Sequence, residues 1–223
     1  LVGSEMCIRD SYSSAWLLKD VQMEYLQEKF DKKGLMILYT APWPGQGFYT
    51  KFPVNSVSDF SGKKLRIYST ATQQMGSMLG FNATILPFAE IPQAFSTGLI
   101  EALFTSPQTG IDIQAWDNTK HFTYAGAIFS KNAVVVTKKA FNALSKGDQS
   151  NMLAAAKKAE LRGWEMSAET TKKQIDILKK NGMSSKNAPD EVISKMKSIG
   201  LEMMKNWRSK ASPEANAVLD RYL

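Results

Sequence analysis

The sequence predicts an α/β protein, and three observations carry that assignment. Short apolar runs alternate with helical stretches between residues 65 and 118, punctuated by Gly80, Gly98 and Pro107. Residues 147–180 keep helical periodicity without a break, enough for one helix of roughly 50 Å. The hydrophobic content of 43% can build a core in a chain of 223 residues. No apolar run reaches the length that a membrane-crossing helix needs.

The elements follow in order. Trp16, Leu17, Val21, Tyr25, Leu26 and Phe30 recur at helical spacing, so residues 14–30 form a helix that Gly34 stops. Residues 35–39 form a short strand. Pro42, Pro44, Gly45 and Gly47 make a loop, and residues 48–57 read as extended. The alternation then begins with a strand over 65–68 and a helix over 70–79 that ends at Gly80. A strand over 83–86 precedes a helix over 89–97, capped by Gly98. A strand over 101–104 leads to a helix over 107–118 with Pro107 in its first turn. This order argues for a mostly parallel sheet covered by helices. Residues 122–137 contain the strongest β run, N-A-V-V-V-T, and a short helix spans 138–144. Met152, Leu153, Ala156, Trp164, Ile175 and Leu178 are the inward candidates of the long helix, which Asn181-Gly182 ends. Helices over 189–207 and 213–223 close the chain.

The net charge of +7 raises nucleic acid, an anionic surface or an anionic ligand as partners. The lysines are spread along the C-terminal helical region among Glu and Asp, with no basic block and no aromatic RNA-binding signature. They read as a solvated helix surface, and nucleic acid is not expected as a partner. The single cysteine, Cys7, leaves the remainder of the chain free of thiols, which is compatible with an oxidising compartment. His121 is the single histidine. It stands one helical turn from Asp117, an isolated pair that makes a weak metal site, and Asn118 ends that helix. No Ser-His-Asp set, Gly-x-Ser-x-Gly elbow or phosphate-binding glycine loop occurs. Neither a cofactor nor a metal is expected, and an enzyme reading has little to stand on.

The most informative stretch is G-K-K-L-R-I-Y at residues 62–68, followed by L-P-F-A-E at 86–90 and E-A-L-F-T-S-P at 101–107. It places Arg66 on an apolar strand, where a charge needs a partner. A guanidinium carries a planar fork of donors that matches a carboxylate. With Phe88 and the hydroxyls of Thr105 and Ser106 following, capture of a small organic anion is suggested. Structural alternatives remain for each residue. Arg66 could pair with Asp59 or Glu90, Phe88 could be core, and Ser106 or Thr105 could cap the next helix.

Three segments also carry a resemblance: D-F-S-G-K-K-L-R-I at 59–67, L-P-F-A-E-I-P-Q-A-F-S-T-G-L-I-E-A at 86–102 and K-K-A-F-N-A-L-S-K-G-D-Q at 138–149. From about residue 35 onward the chain resembles the extracytoplasmic solute-binding subunit of a TRAP transporter, of the DctP type. The resemblance implies a two-lobed periplasmic-binding-protein-like fold with a long helix bracing the lobes. It divides the chain into a remnant of lobe one at 13–52, lobe two at 53–124, a return crossing at 125–146, the lobe-spanning helix at 147–182 and closing helices at 183–223. Residues 1–12 read as a non-native or disordered leader resembling translated sequencing adapter. The family's signal peptide and opening of lobe one would then lie upstream, so lobe one is expected to be incomplete.

The resemblance makes Arg66 the carboxylate clamp and Phe88 the aromatic laid on the ligand. Thr105 falls where many members have Asn, so A-L-F-T-S-P departs from the common pattern, although Thr105 and Ser106 can still donate. A helix starting at Pro107 would add its N-terminus as an anion site. Gln46 stands where sialic-acid-binding members have a second arginine, which counts against sialate and other large polyanions. Trp43, Phe48 and Tyr68 would make the cleft aromatic, and Trp116 is the weaker candidate for one wall. The ligand implied is a compact monocarboxylate, such as a hydroxy or keto acid. The protein would work as a monomer in the periplasm, closing over the acid and delivering it to ion-gradient-driven membrane subunits. The alternative is a small-molecule enzyme or ligand sensor on a similar lobe.

Overall fold

The computed structural model describes residues 12–223. But for Tyr12, the leader expected over 1–12 lies outside the described residues. Helix α1 (Tyr12–Asp31) leads through Gly34, at φ +70°, into strand β1 (Leu35–Pro42). Strand β2 (Gln46–Thr50) follows, then β3 (Lys64–Ile67), α2 (Thr70–Met78), β4 (Asn82–Ile85), α3 (Ile91–Ser96), β5 (Ala102–Thr105) and α4 (Pro107–Asp112). Strands β6 (His121–Ala127) and β7 (Lys131–Thr137), helices α5 (Lys138–Asn142) and α6 (Lys146–Lys180), strand β8 (Ser184–Asn187) and helices α7 (Asp190–Arg208) and α8 (Pro213–Tyr222) complete the fold.

Two sheets result. Strands β1 and β7 pair antiparallel. The other six strands lie in the order β4-β3-β5-β2-β6-β8. There β3 runs parallel to β4 and β5, β6 runs parallel to β8, and β2 is antiparallel to both of its neighbours. Two expectations change here. Residues 46–50, placed above in the remnant of lobe one, form β2, a central strand of the six-stranded sheet that also holds β3, β4 and β5. The closing region also contains a strand, β8, that extends the same sheet. A run of S-S-K-N lacks the apolar residues that signal a strand; it sits at the edge, where backbone pairing alone suffices.

Alternation along the strands builds a core on each face of the six-stranded sheet. Phe48, Leu65, Ile67 and Phe104 point to one face, under α2 and α7, with Met75, Val192, Met196 and Ile199. Tyr49, Leu103 and Phe122 point to the other, under α3, α4 and the end of α6, with Ile91, Phe95 and Leu178. The Phe48 ring meets Phe60 and Phe104, each at 4.8 Å between centroids.

Helix α6 has 35 residues, about 50 Å of rise. Ser145 starts it by accepting from the Asp148 N–H, and Gly182, at φ +87°, follows its end. It lies along both sheets. Its Glu160 accepts from the backbone N–H and hydroxyl of Thr40 on β1, at 3.0 and 2.9 Å. Farther on, Gln174 donates to Gln108 of α4 at 3.0 Å. Trp164 and Leu178 are buried as expected, whereas Leu153 is 48% exposed. Buried Lys19 of α1 reaches Glu160 at 3.4 Å and Asp20 at 2.8 Å, and lies 4.2 Å from the centre of the Trp16 ring. At the far end, Leu18 packs with Leu219 and Tyr222, so α8 closes against α1.

Glu160 thus joins α1, β1 and α6. Glu160→Ala strips the acceptor from Thr40 and one counter-charge from buried Lys19, and should lower unfolding stability by about 1–3 kcal/mol. Glu160→Gln keeps an acceptor for Thr40 and should recover much of that loss. Urea unfolding of the two variants measures the difference, and equal stability of all three proteins would remove Glu160 from this role.

Candidate functional site

Arg66 is where the alternation of β3 works against burial of a charge. Leu65 and Ile67 enter the core under α2 and α7, so Arg66 must face the other way. In register it stands beside Leu103 of β5, whose face it shares. Thr105 lies two residues further along β5 on that same face. Both residues therefore project at the carboxyl ends of parallel strands, where α/β sheets place their ligands.

Arg66 is 4% exposed. Its Nε donates to the Leu86 carbonyl at 3.1 Å, fixing the inner edge of the guanidinium. Tyr68 lies beside it, with the guanidinium carbon 5.9 Å from the ring centre. Burial pulls the Arg66 pKa below its ordinary value, with Tyr68 acting weakly the other way. A guanidinium nonetheless stays charged. Among the described residues no carboxylate forms an ion pair with it, so neither Asp59 nor Glu90 is its partner. Asp59 instead accepts from the backbone N–H groups of Asn55 and Ser56, which hold its carboxyl below the usual range.

The guanidinium opens on a cleft of about 250 Å³ between the two sheets. Of the residues singled out in the sequence, Trp43, Gln46, Arg66, Tyr68, Phe88, Thr105 and Ser106 line it. Thr109, Ser130, Lys131 and Asn132 complete the lining and were not anticipated. Thr109 carried a readable signal, since it stands three residues after Ser106 in a capping arrangement. Ser130-Lys131-Asn132 is the polar run just before N-A-V-V-V-T; its signal was position, because β7 enters the second sheet beside the cleft. Phe48 does not line the cleft and is core. Trp116 packs against the core that contains Tyr49 and also stays outside it.

Phe88 is 52% exposed, which removes the core alternative. It projects from a single 3-10 turn, Phe88–Glu90, just after the Leu86 carbonyl that holds Arg66. Ser106 does cap α4: its Oγ accepts from the Thr109 N–H at 3.2 Å and lies 3.1 Å from the Thr109 hydroxyl. Two hydroxyls share one contact, so one proton remains for the cleft. The helix itself is shorter than expected. It ends at Asp112, and Gln114 takes a left-handed backbone, φ +49°, before the turn Ala115–Asp117. With six residues, no N–H at Pro107 and the Thr109 N–H already used, the helix end is not an anion site.

The loop before α4 is held from below. The buried hydroxyl of Tyr49 lies 3.2 Å from the Ser106 carbonyl and 3.4 Å from that of Pro107, and burial pushes its pKa well up. Gly110 permits this approach, because a Cβ there would overlap the Tyr49 ring and hydroxyl.

A two-sheet α/β body with a long bracing helix, and a cleft between the sheets holding a buried arginine that no carboxylate pairs with among the described residues, have the form of a solute-capturing receptor. The chain belongs to the DctP family, bacterial extracellular solute-binding protein family 7, whose profile matches residues 7–210. Its class is that of TRAP transporter receptors, which work outside the cytoplasm. Similar solved structures include the following three. Bordetella pertussis DctP7, an extracytoplasmic solute receptor binding pyroglutamic acid, is 37% identical with a TM-score of 0.92 over 96% of this chain and 71% of its own. DctP6 from the same organism, also binding pyroglutamic acid, is 34% identical with a TM-score of 0.91 over 96% and 71%. A marine-metagenome TRAP solute-binding protein specific for pyroglutamate is 30% identical with a TM-score of 0.92 over 99% and 73%.

Gly110→Ala should force Tyr49 out of its fully buried position and move the Ser106–Thr109 turn. We expect a loss of about 1–3 kcal/mol in stability and a blue shift or broadening of the tyrosine signal in near-ultraviolet circular dichroism. A variant with unchanged melting and spectrum would mean that the loop is positioned by something else.

Proposed function

We propose that this protein captures a compact organic monocarboxylate in the periplasm and delivers it to the membrane subunits of an ion-gradient-driven TRAP transporter. One observation carries the reading: Arg66 is a buried, hydrogen-bonded cation with no carboxylate partner among the described residues. A ligand carboxylate supplies the missing charge and fits the fork of terminal nitrogens. Thr105 and the shared Ser106/Thr109 proton donate to the acid's oxygens. Phe88, Trp43 and Tyr68 supply the apolar and aromatic walls. The protein acts as a monomer and by binding rather than turnover; the described lining residues include no His, Cys, Asp or Glu to serve as a base.

That same composition narrows the ligand. Arg66 and Lys131 are the charged groups of the described lining, and both are positive. A zwitterionic amino acid would bring an ammonium into a cleft that offers no counter-charge, a group whose unpaired burial is strongly unfavourable. The acid therefore carries no basic nitrogen. Pyroglutamate, bound by the relatives above, satisfies this, because its ring nitrogen is an uncharged amide. It is also small enough for a cleft of about 250 Å³.

Two measurements test the reading. By calorimetry, Arg66→Ala should weaken binding of pyroglutamate by about 2–5 kcal/mol, some 30-fold to several-thousand-fold. Arg66→Lys should recover little, because a point charge does not replace the fork. Near-native affinity in the alanine variant would remove Arg66 from the site. In the native protein, proline, which has the same ring with a protonated amine, should bind at least about a hundredfold more weakly than pyroglutamate. Equal affinity for the two would overturn the exclusion of basic nitrogen.

A further inference from the structure

Two short segments carry the chain directly from one sheet to the other, Trp43-Pro44-Gly45 and Ile128-Phe129-Ser130, and these two passages touch. The Trp43 N–H donates to the Ser130 carbonyl at 2.7 Å. A Cβ on Gly45 would come within 3.1 Å of the Gly126 backbone and 2.8 Å of the Tyr124 hydroxyl. In the second passage Ile128 adopts a left-handed backbone, φ +56°, which a β-branched residue strongly disfavours. It does so while 3% exposed, so neither solvent nor a glycine relieves it. Something must hold that conformation in place.

Gln46 is placed to do so. It is 2% exposed and stands at the end of the first passage. Its side-chain nitrogen lies 3.1 Å from the Ile128 carbonyl and 3.1 Å from the Ser130 Oγ. A carbonyl can only accept, so this assigns the amide orientation; the Tyr68 hydroxyl then lies 2.7 Å from the amide nitrogen and 3.0 Å from the amide oxygen, where it can accept from the one or donate to the other. Tyr68 is the ring beside Arg66. One buried amide therefore spans three places: the strained passage, its continuation at Ser130, and the wall of the cleft. We propose that Gln46 is a positioning residue, a latch that fixes the Ile128–Ser130 passage between the sheets and ties it to Tyr68 in the cleft. Both N–H groups of the amide have partners within the fold, so its role here is to shape the hinge.

Hydrogen exchange of the ligand-free protein tests this, and the assignment stands whatever acid the cleft binds. Gln46→Met keeps the volume and removes the amide; Tyr68→Phe keeps the ring and removes the hydroxyl. Tyr68→Phe should speed exchange in peptides covering residues 126–132 by about five- to tenfold, the effect of losing one buried hydrogen bond on a local opening, and Gln46→Met, which removes the whole amide, by at least as much. Peptides from α7 should be unchanged. The double variant should exchange no faster than Gln46→Met alone, because both changes break one unit. The proposal is overturned if Tyr68→Phe leaves residues 126–132 at the native rate, or if the two effects multiply. Should Gln46→Met fail to fold, the Tyr68→Phe result decides alone.

Discussion

The desolvated charge of Arg66 is the constraint on which the rest of the site depends. A guanidinium removed from water without a counter-ion is a liability in any folded protein. This fold retains it and partly satisfies it, with a backbone carbonyl on Nε and an aromatic ring alongside. Those partners are neutral. They orient the group without quenching its charge, as the proposed capture of a carboxylate requires: a protein carboxylate in the same place would hold the fork closed against a ligand. The lack of acidic residues in the described lining and the open fork are two sides of one arrangement.

The sheet supplies the geometry. Because β3 and β5 run parallel, their carboxyl ends fall on the same side, and alternation sends Arg66 and Thr105 to the same face. The antiparallel insertion of β2 next to β5 brings Gln46 to that end as well, and with it the passage toward β1. The site is thus assembled by strand direction. The loops that follow the strands, at Phe88 and at Ser106, only add donors and a cover. Gly110 and Tyr49 then set the height of the Ser106 loop from beneath.

Much of this was legible in the sequence, and the reason is physical. An arginine in an apolar strand breaks the binary pattern, and such a break marks a place where local preference yields to function. Most of the residues chosen around it, Phe48 and Trp116 excepted, line one cleft because the alternation of strand and helix fixed which strand ends lie together. What remained hidden depends on pairing between distant segments. Nothing in Q-G-F-Y-T says that β2 sits in the middle of the six-stranded sheet rather than between the sheets. The four residues of β8 have no apolar pattern, and only their edge position makes them a strand. Ser130, Lys131 and Asn132 reach the cleft because the chain turns back through Ile128, a conformation that no sequence rule assigns to isoleucine. The helix expected over 107–118 was overread because apolar periodicity continues past Asp112, while Gln114 adopts the left-handed turn that ends it.

The same contacts bear on how such a receptor can move. Two sheets joined by two adjacent passages would be free to rotate about them, and a ligand that touches both would favour the closed arrangement by its differential contacts. Helix α6 limits that freedom. It is fastened to the small sheet at Glu160 and to the large body at Gln174, about 20 Å apart along one helix. An α-helix is stiff, so rotation about the passages must bend α6 or slide it against one of the two bodies. The fold therefore has a narrow set of motions open to it rather than a loose hinge. Small rearrangements at the passages are then coupled to both bodies, because the helix that resists them is fastened to each.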